Sequence, residues 1–124
     1  MAKKYEIRNS TAEFLTFVAE GKEQGIQVLY KNETVWATQK AMAMLFDCSS
    51  DNIGLHLKNI FKSGELDENS VTEKNSATAA DGKNYQTKFY NLDAIISVGY
   101  RVNSIRATQF RQWCTYVIRQ FSLR

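Results

Sequence analysis

The chain has 124 residues, 44% of them apolar, with 7 Phe, 6 Tyr and 2 Trp, which suits one domain with a single core and excludes an intrinsically disordered chain. No run of about 18 apolar residues is available to span a membrane, and the opening Met1-Ala2-Lys3-Lys4-Tyr5-Glu6-Ile7-Arg8 lacks the apolar centre of a secretory signal. The formal charge of +3 is too small to announce a nucleic-acid partner, but it is unevenly spread: from Asn91 onward five arginines stand against Asp93, leaving the preceding residues slightly acidic.

Ser10-Thr11-Ala12-Glu13 is a capping-box pattern followed by Phe14, Phe17 and Val18 at helical spacing, with Gly21 as a stop. It predicts a short helix laid over the core, within an N-terminal extension of residues 1–25. Ile26–Tyr30 and Glu33–Ala37 are β-rich runs on either side of Lys31-Asn32, the spacing of a hairpin in which Asn takes the left-handed turn position.

Thr38 to Phe61 reads as two short helices joined by a tight polar turn. Thr38 caps the first, whose buried face carries Met42, Ala43, Leu45 and Phe46. Asp47-Cys48-Ser49 breaks the pattern, and Ser49 or Ser50 caps the second. There Ile53, Leu57, Ile60 and Phe61 form one apolar stripe. These residues alone fit an ordinary helical hairpin and a helix-turn-helix equally well; in the second case the second helix enters a DNA major groove.

Lys62-Ser63-Gly64 ends that helix, and Glu65–Asn69 is an acidic connector. Ser70–Thr78 and Asn84–Tyr90 flank Ala79–Lys83, whose Asp81-Gly82 predicts a second hairpin. A hairpin placed directly after a helix-turn-helix is the wing of a winged helix. Asn91 caps a further helix, with Leu92, Ile95, Ile96 and Gly99 buried and a close helix contact at the glycine. Asn103-Ser104 interrupts and caps the last helix, where Phe110, Trp113, Cys114, Val117 and Phe121 repeat at apolar spacing. Nothing stops this helix before Arg124, which predicts the N-terminal piece of a longer protein, or a helix end held by a partner.

The stretches Glu33–Gln39, Leu57–Phe61, Gly64–Leu66, Tyr90–Ser104 and Thr108–Trp113 together resemble the RhuM family of bacterial virulence-associated proteins. The resemblance runs from about Ile26 to Phe121. More loosely, the order of elements is similar to the Bro-N and KilA-N domains of phage antirepressors. The resemblance implies a DNA-binding-type N-terminal domain of a larger cytoplasmic protein. The chain departs from the family pattern at Asp47, where Gly is usual, at Asp51, near which Arg is frequent, and at Leu55, where a polar or basic residue is usual.

The expected fold is therefore α+β: a winged-helix-like domain with two β-hairpins, a helix-turn-helix and two C-terminal helices, its core over 26–90 and its closing helices over 91–124. The expected partner is double-stranded DNA, with Ser50–Lys62 in the major groove and Ala79–Lys83 against the backbone, and a homodimer forms through the last helix. Phosphate contacts fall to Lys40, Ser49, Ser50, Lys58, Lys62, Lys83, Lys88, Arg106 and Arg111, and base contacts to Asn52, Leu55 and Asn59. The plain alternative for each lysine is a solvated charge; for Arg106 and Arg111 it is a pair with Asp93 or the acidic connector. Asp51 opposes phosphate at the start of the helix, which favours the alternative of a protein-interaction module on the same scaffold.

His56, the single histidine, flanks the apolar stripe and reads as half-buried rather than catalytic. Trp36 and Trp113 read as core. Cys48 and Cys114 lack metal-ligand spacing and read as reduced thiols of a cytoplasmic protein. There is no phosphate-binding Gly-rich loop and no nucleophile–base pair, so no enzyme, cofactor, metal or small-molecule substrate is expected from these residues.

Overall fold

The computed structural model describes Ile26 and residues 28–122, apart from the side chains of residues 118 and 120–122. The expected helix over Thr11–Gly21 and the side chain of Phe121 lie outside the described residues. The order of elements is β1 (Leu29–Lys31), β2 (Thr34–Thr38), α1 (Gln39–Leu45), α2 (Ser50–Lys62), α3 (Glu68–Val71), β3 (Thr72–Thr78), β4 (Asn84–Asn91), α4 (Leu92–Gly99) and α5 (Ile105–Ser122). This is a mixed α+β fold.

The two hairpins are not separate units. β4 pairs antiparallel with β3 from Asn84 to Tyr90, and its end also pairs antiparallel with β2, giving one four-stranded sheet in the order β1-β2-β4-β3. The β2–β4 register sets Thr38 opposite Phe89, Ala37 opposite Tyr90 and Trp36 opposite Asn91. The sheet curls enough for Lys31 at one edge to form an ion pair with Glu73 on the other edge strand.

Strand alternation explains which face is covered. Val35, Ala37 and Tyr90 share the face that joins the main core with Met42, Leu45 and Phe46 of the α1 region, Ile53, Leu57 and Ile60 of α2, and Ile95 and Val98 of α4. Phe110 of α5 closes that core, its ring 5.0 Å edge-on from Phe46 and 5.4 Å from Trp113. Gly99 is needed at the α4–α5 contact because a Cβ there would lie 2.4 Å from the Phe110 ring.

The first turn lies one residue later than the sequence pattern suggests. Asn32 and Glu33 both have positive φ, 55° and 62°, so Glu33 belongs to the turn and β2 begins at Thr34. That is a two-residue hairpin loop, whose twist matches the flanking strands. β1 likewise starts at Leu29 rather than Ile26.

A second boundary moves at residues 68–71. Glu68–Val71 is a short helix, not connector and strand, and β3 starts at Thr72. Polar side chains bond locally there: Ser70 Oγ donates to Asp67 Oδ2 at 2.8 Å and Thr72 Oγ1 donates to the Glu68 carbonyl at 2.8 Å. Buried Val71 anchors the turn.

The caps fall where the sequence puts them. Thr38 Oγ1 accepts from Ala41 N, Ser49 Oγ from Asn52 N, and Asn91 Oδ1 from Ala94 N, at 3.0, 3.0 and 3.2 Å. Ser104 Oγ accepts from Ala107 N at 3.0 Å and donates to the Phe46 carbonyl at 2.6 Å, so one hydroxyl caps α5 and ties it to the end of α1.

Candidate nucleic-acid interface

The α1–α2 corner is a closed, hydrogen-bonded turn. Asp47 sits at φ 53°, with Cys48 N donating to the Ala43 carbonyl at 3.0 Å and Asp47 N to the Met44 carbonyl at 3.4 Å. That is the Schellman pattern, in which the left-handed position usually carries glycine. Gln39 locks the corner from the other side: its Nε2 donates to the Ser50 carbonyl at 2.8 Å. The same amide lies 2.8 Å from where a Cβ on Gly54 would stand, so Gly54 serves a helix contact within the pair.

With Ile53, Leu57 and Ile60 buried, the opposite side of α2 faces solvent. It presents Asp51, Leu55, Lys58, Asn59 and Lys62, and Leu55 remains 55% exposed although it is apolar. Asn52 and Asn59 fall at helical spacing around Leu55. The Asn52 side chain, however, hydrogen-bonds Cys48, whose thiol is pushed up mainly by burial, with Asn52 opposing and Asp47 assisting. The hydroxyl of Ser49 is engaged as a cap, and Ser50 Oγ lies 3.4 Å from the Gln39 amide.

A cleft of about 860 Å³ separates the β3–β4 hairpin from the start of the helix pair. Its walls include Lys40, Met44 and Ser50 on the helical side, and Ala77, Tyr85 and Thr87 on the hairpin side. A smaller recess of about 300 Å³ continues along α2 past Gly54, Lys58 and Phe61, sharing Gln39 and Tyr90 with the first. The hairpin tip is fixed by its own acid. Asp81 accepts from Lys83 N at 2.9 Å and from the Tyr85 hydroxyl at 2.7 Å, which lowers the Asp81 pKa and raises that of Tyr85.

The structure sorts the expected cations. Lys40, Lys58, Lys62 and Lys83 are exposed and form no ion pair among the described residues. Lys88 is held by Glu68 at 2.7 Å, a bond that raises its pKa. Arg111 Nη1 donates to the carbonyls of Gly99 and Val102, both at 2.9 Å, and Nη2 to Thr108 Oγ1 at 2.9 Å. Its fork thus closes the C-terminal end of α4, where a cation is favoured by the helix dipole. Arg106 Nη1 donates to Gln109 Oε1 at 3.2 Å. The arginine that pairs with the acidic connector is Arg101, bonded to Glu65 at 3.0 Å; Glu65 also accepts from buried Ser97.

His56 is half-buried; burial first, and the Arg101 charge second, push its pKa down, so the imidazole is neutral at pH 7. Burial raises the Cys114 thiol to about 11, and both cysteines are free. Among the described residues there is no group of three acidic, His or Cys side chains arranged for a metal, and no helix is long and apolar enough to cross a membrane.

Sequence reasoning missed Gln39 and Tyr85. The signal for Gln39 was available in the Gly54 that faces it; Tyr85 showed only as one aromatic beside an Asp-Gly turn.

The family model described as Virulence protein RhuM family matches residues 70–124, which span β3, β4, α4 and α5. This is narrower than the resemblance read from Ile26 to Phe121, and it leaves α1 and α2 outside the match. No curated protein and no solved structure matches the chain.

Proposed function

This chain belongs to the RhuM family through residues 70–124, and from that premise we propose that the domain is a non-enzymatic module for double-stranded DNA. The supporting observation is that α2 carries a solvent-facing stripe of Leu55, Lys58, Asn59 and Lys62, with the cleft and the fixed hairpin beside it. In this reading the elements act as a winged helix. The Ser50–Lys62 helix enters the major groove, Asn59 and Leu55 meet base edges, and Lys58, Lys62, Lys40 and Lys83 neutralise phosphates. Lys83 stands on the tip Ala79–Lys83, which Asp81 and Tyr85 hold in shape. Lys88 and Arg111 drop out of the phosphate set, because Glu68 and the α4 carbonyls already occupy them.

Binding to duplex DNA is then electrostatic in its main part. Affinity falls with salt at a logarithmic slope of about −0.9 per phosphate contact, so four lysines give a slope of about −3.6. Lys58→Ala with Lys62→Ala weakens binding to every sequence and makes the slope shallower by about 1.8. Asn59→Ala changes sequence preference while leaving the slope in place. Absence of measurable binding to random duplex at ~50 mM salt, where the phosphate contribution is strongest, overturns the reading.

A second reading, a protein-interaction module, is favoured by the exposed Asp47 and Asp51 at the approach to α2. Their charges oppose a phosphate at the place where a recognition helix comes nearest to DNA.

A further inference from the structure

β4 is eight residues long, but β2 covers only its last three. Phe89, Tyr90 and Asn91 pair with Thr38, Ala37 and Trp36, and there β2 stops because the chain turns into α1 at Gln39. On the β2 side, therefore, Asn84 to Lys88 run without a neighbouring strand among the described residues, although they are fully paired with β3 on the other side. The cleft of about 860 Å³ lies along this open edge.

We propose that this edge is a second binding site, which takes an extended peptide segment of a partner protein as an added strand beside β4, in the space that β2 vacates at Gln39. Five residues of open strand extend about 17 Å at 3.4 Å per residue, enough for a peptide of five or six residues. A cleft of this volume falls within the ordinary range of ligand pockets. In such recognition the main-chain bonds supply affinity, and the walls choose alternate side chains.

The walls define the chemistry. Ala41, Met44, Ala77, Ala79 and Ala80 accept small or aliphatic side chains. Lys40 is the unpaired charge at the cleft, whereas Lys88 is shared with Glu68. The fitting peptide is therefore extended and aliphatic at alternate positions, with a carboxylate to meet Lys40. Lys40 is shared with the phosphate contacts of the function proposed above, whereas the backbone of Asn84 to Lys88 is not among them, so exchange protection of those amides separates the two sites.

The test uses the whole chain and two synthetic probes. One is the capped hexapeptide Val-Glu-Val-Glu-Val-Thr; the other is the same sequence with alternate backbone nitrogens methylated on its pairing edge. Hydrogen exchange of the amides from Asn84 to Lys88 is followed with each probe. The expected result is protection confined to that segment by the first peptide and binding at least about tenfold weaker for the methylated one, the cost of about two lost hydrogen bonds. Lys40→Glu weakens the acidic peptide about two- to fivefold, as expected for an exposed pair, and improves a probe with Lys in place of Glu. Equal binding of the two peptides, protection elsewhere, or no protection at millimolar peptide overturns the proposal. Protection of the same amides by duplex DNA and not by peptide also overturns it and gives the edge to the DNA interface.

Discussion

Among the described residues three non-glycine residues hold left-handed backbone conformations, Asn32, Glu33 and Asp47, and the last two do so at different cost. Glu33 stands at φ 62° in the hairpin loop and Asp47 at 53° in the helix corner. Asp tolerates this region because its short side chain bonds locally, whereas Glu has no such compensation. Glu33→Gly therefore raises stability by up to about 1 kcal/mol, measured by urea unfolding, and Asp47→Gly by less than half of that. A larger gain at Asp47 than at Glu33 would refute the ordering. Glu65 gives a pH prediction. The Ser97 hydroxyl, then Arg101, lower its pKa, so the folded state binds its proton less readily than the unfolded state. Its stabilisation is present above the ordinary carboxylate range and is lost as pH falls through the lowered value. Melting temperatures between pH 6 and 3 should decline more for the native chain than for Glu65→Gln; parallel curves would count against the assignment.

At the scale of elements, α4 and α5 meet through Gly99. Gly99→Ala sets a methyl against the Phe110 ring, with Phe46 3.1 Å away, and should cost about 1–3 kcal/mol of stability in urea unfolding. Gly54→Ala is cheaper, since only the flexible Gln39 amide has to move. Arg111 belongs to the same junction. Arg111→Ala should lower the melting temperature while leaving the salt slope of DNA binding unchanged; a shallower slope would return Arg111 to the phosphate contacts. These contrasts also show what a one-dimensional pattern carries. Caps at Thr38, Ser49, Asn91 and Ser104 were legible because a hydroxyl or amide acts on a backbone N–H two or three residues away. The guanidinium of Arg111 was not, because the carbonyls of Gly99 and Val102 are brought to it by the turn between α4 and α5. The Lys88–Glu68 pair spans twenty residues and depends on the turn at 68–71, whose local polar bonds do not announce a helix.

For the molecule as a whole, composition and periodicity gave the class and nearly every element, but not the way the two hairpins join. That junction rests on β2 meeting β4, a pairing between residues far apart in sequence, for which neither strand carries a distinctive local signal. The same gap explains the site. Exposed lysines could be named from helical spacing, yet that Lys88 is paired and the others are not follows from where Glu68 lands in three dimensions. At this scale the proposed function makes its broadest claim, the salt dependence of duplex binding, and the proposed strand site adds a peptide response that salt weakens far less, because backbone hydrogen bonds release no counterions.

The register of Thr38 with Phe89 has a kinetic consequence. The β3–β4 hairpin is local and can form within about 1–10 μs. The β2–β4 ladder instead closes a loop of about fifty residues that contains α1 and α2, so its entropy cost precedes any reward from the core. The hairpin and α4 therefore act as the folding template, and the helix pair is captured last. Destabilising substitutions in the β3–β4 hairpin should slow refolding, whereas those in α1 and α2 should chiefly speed unfolding.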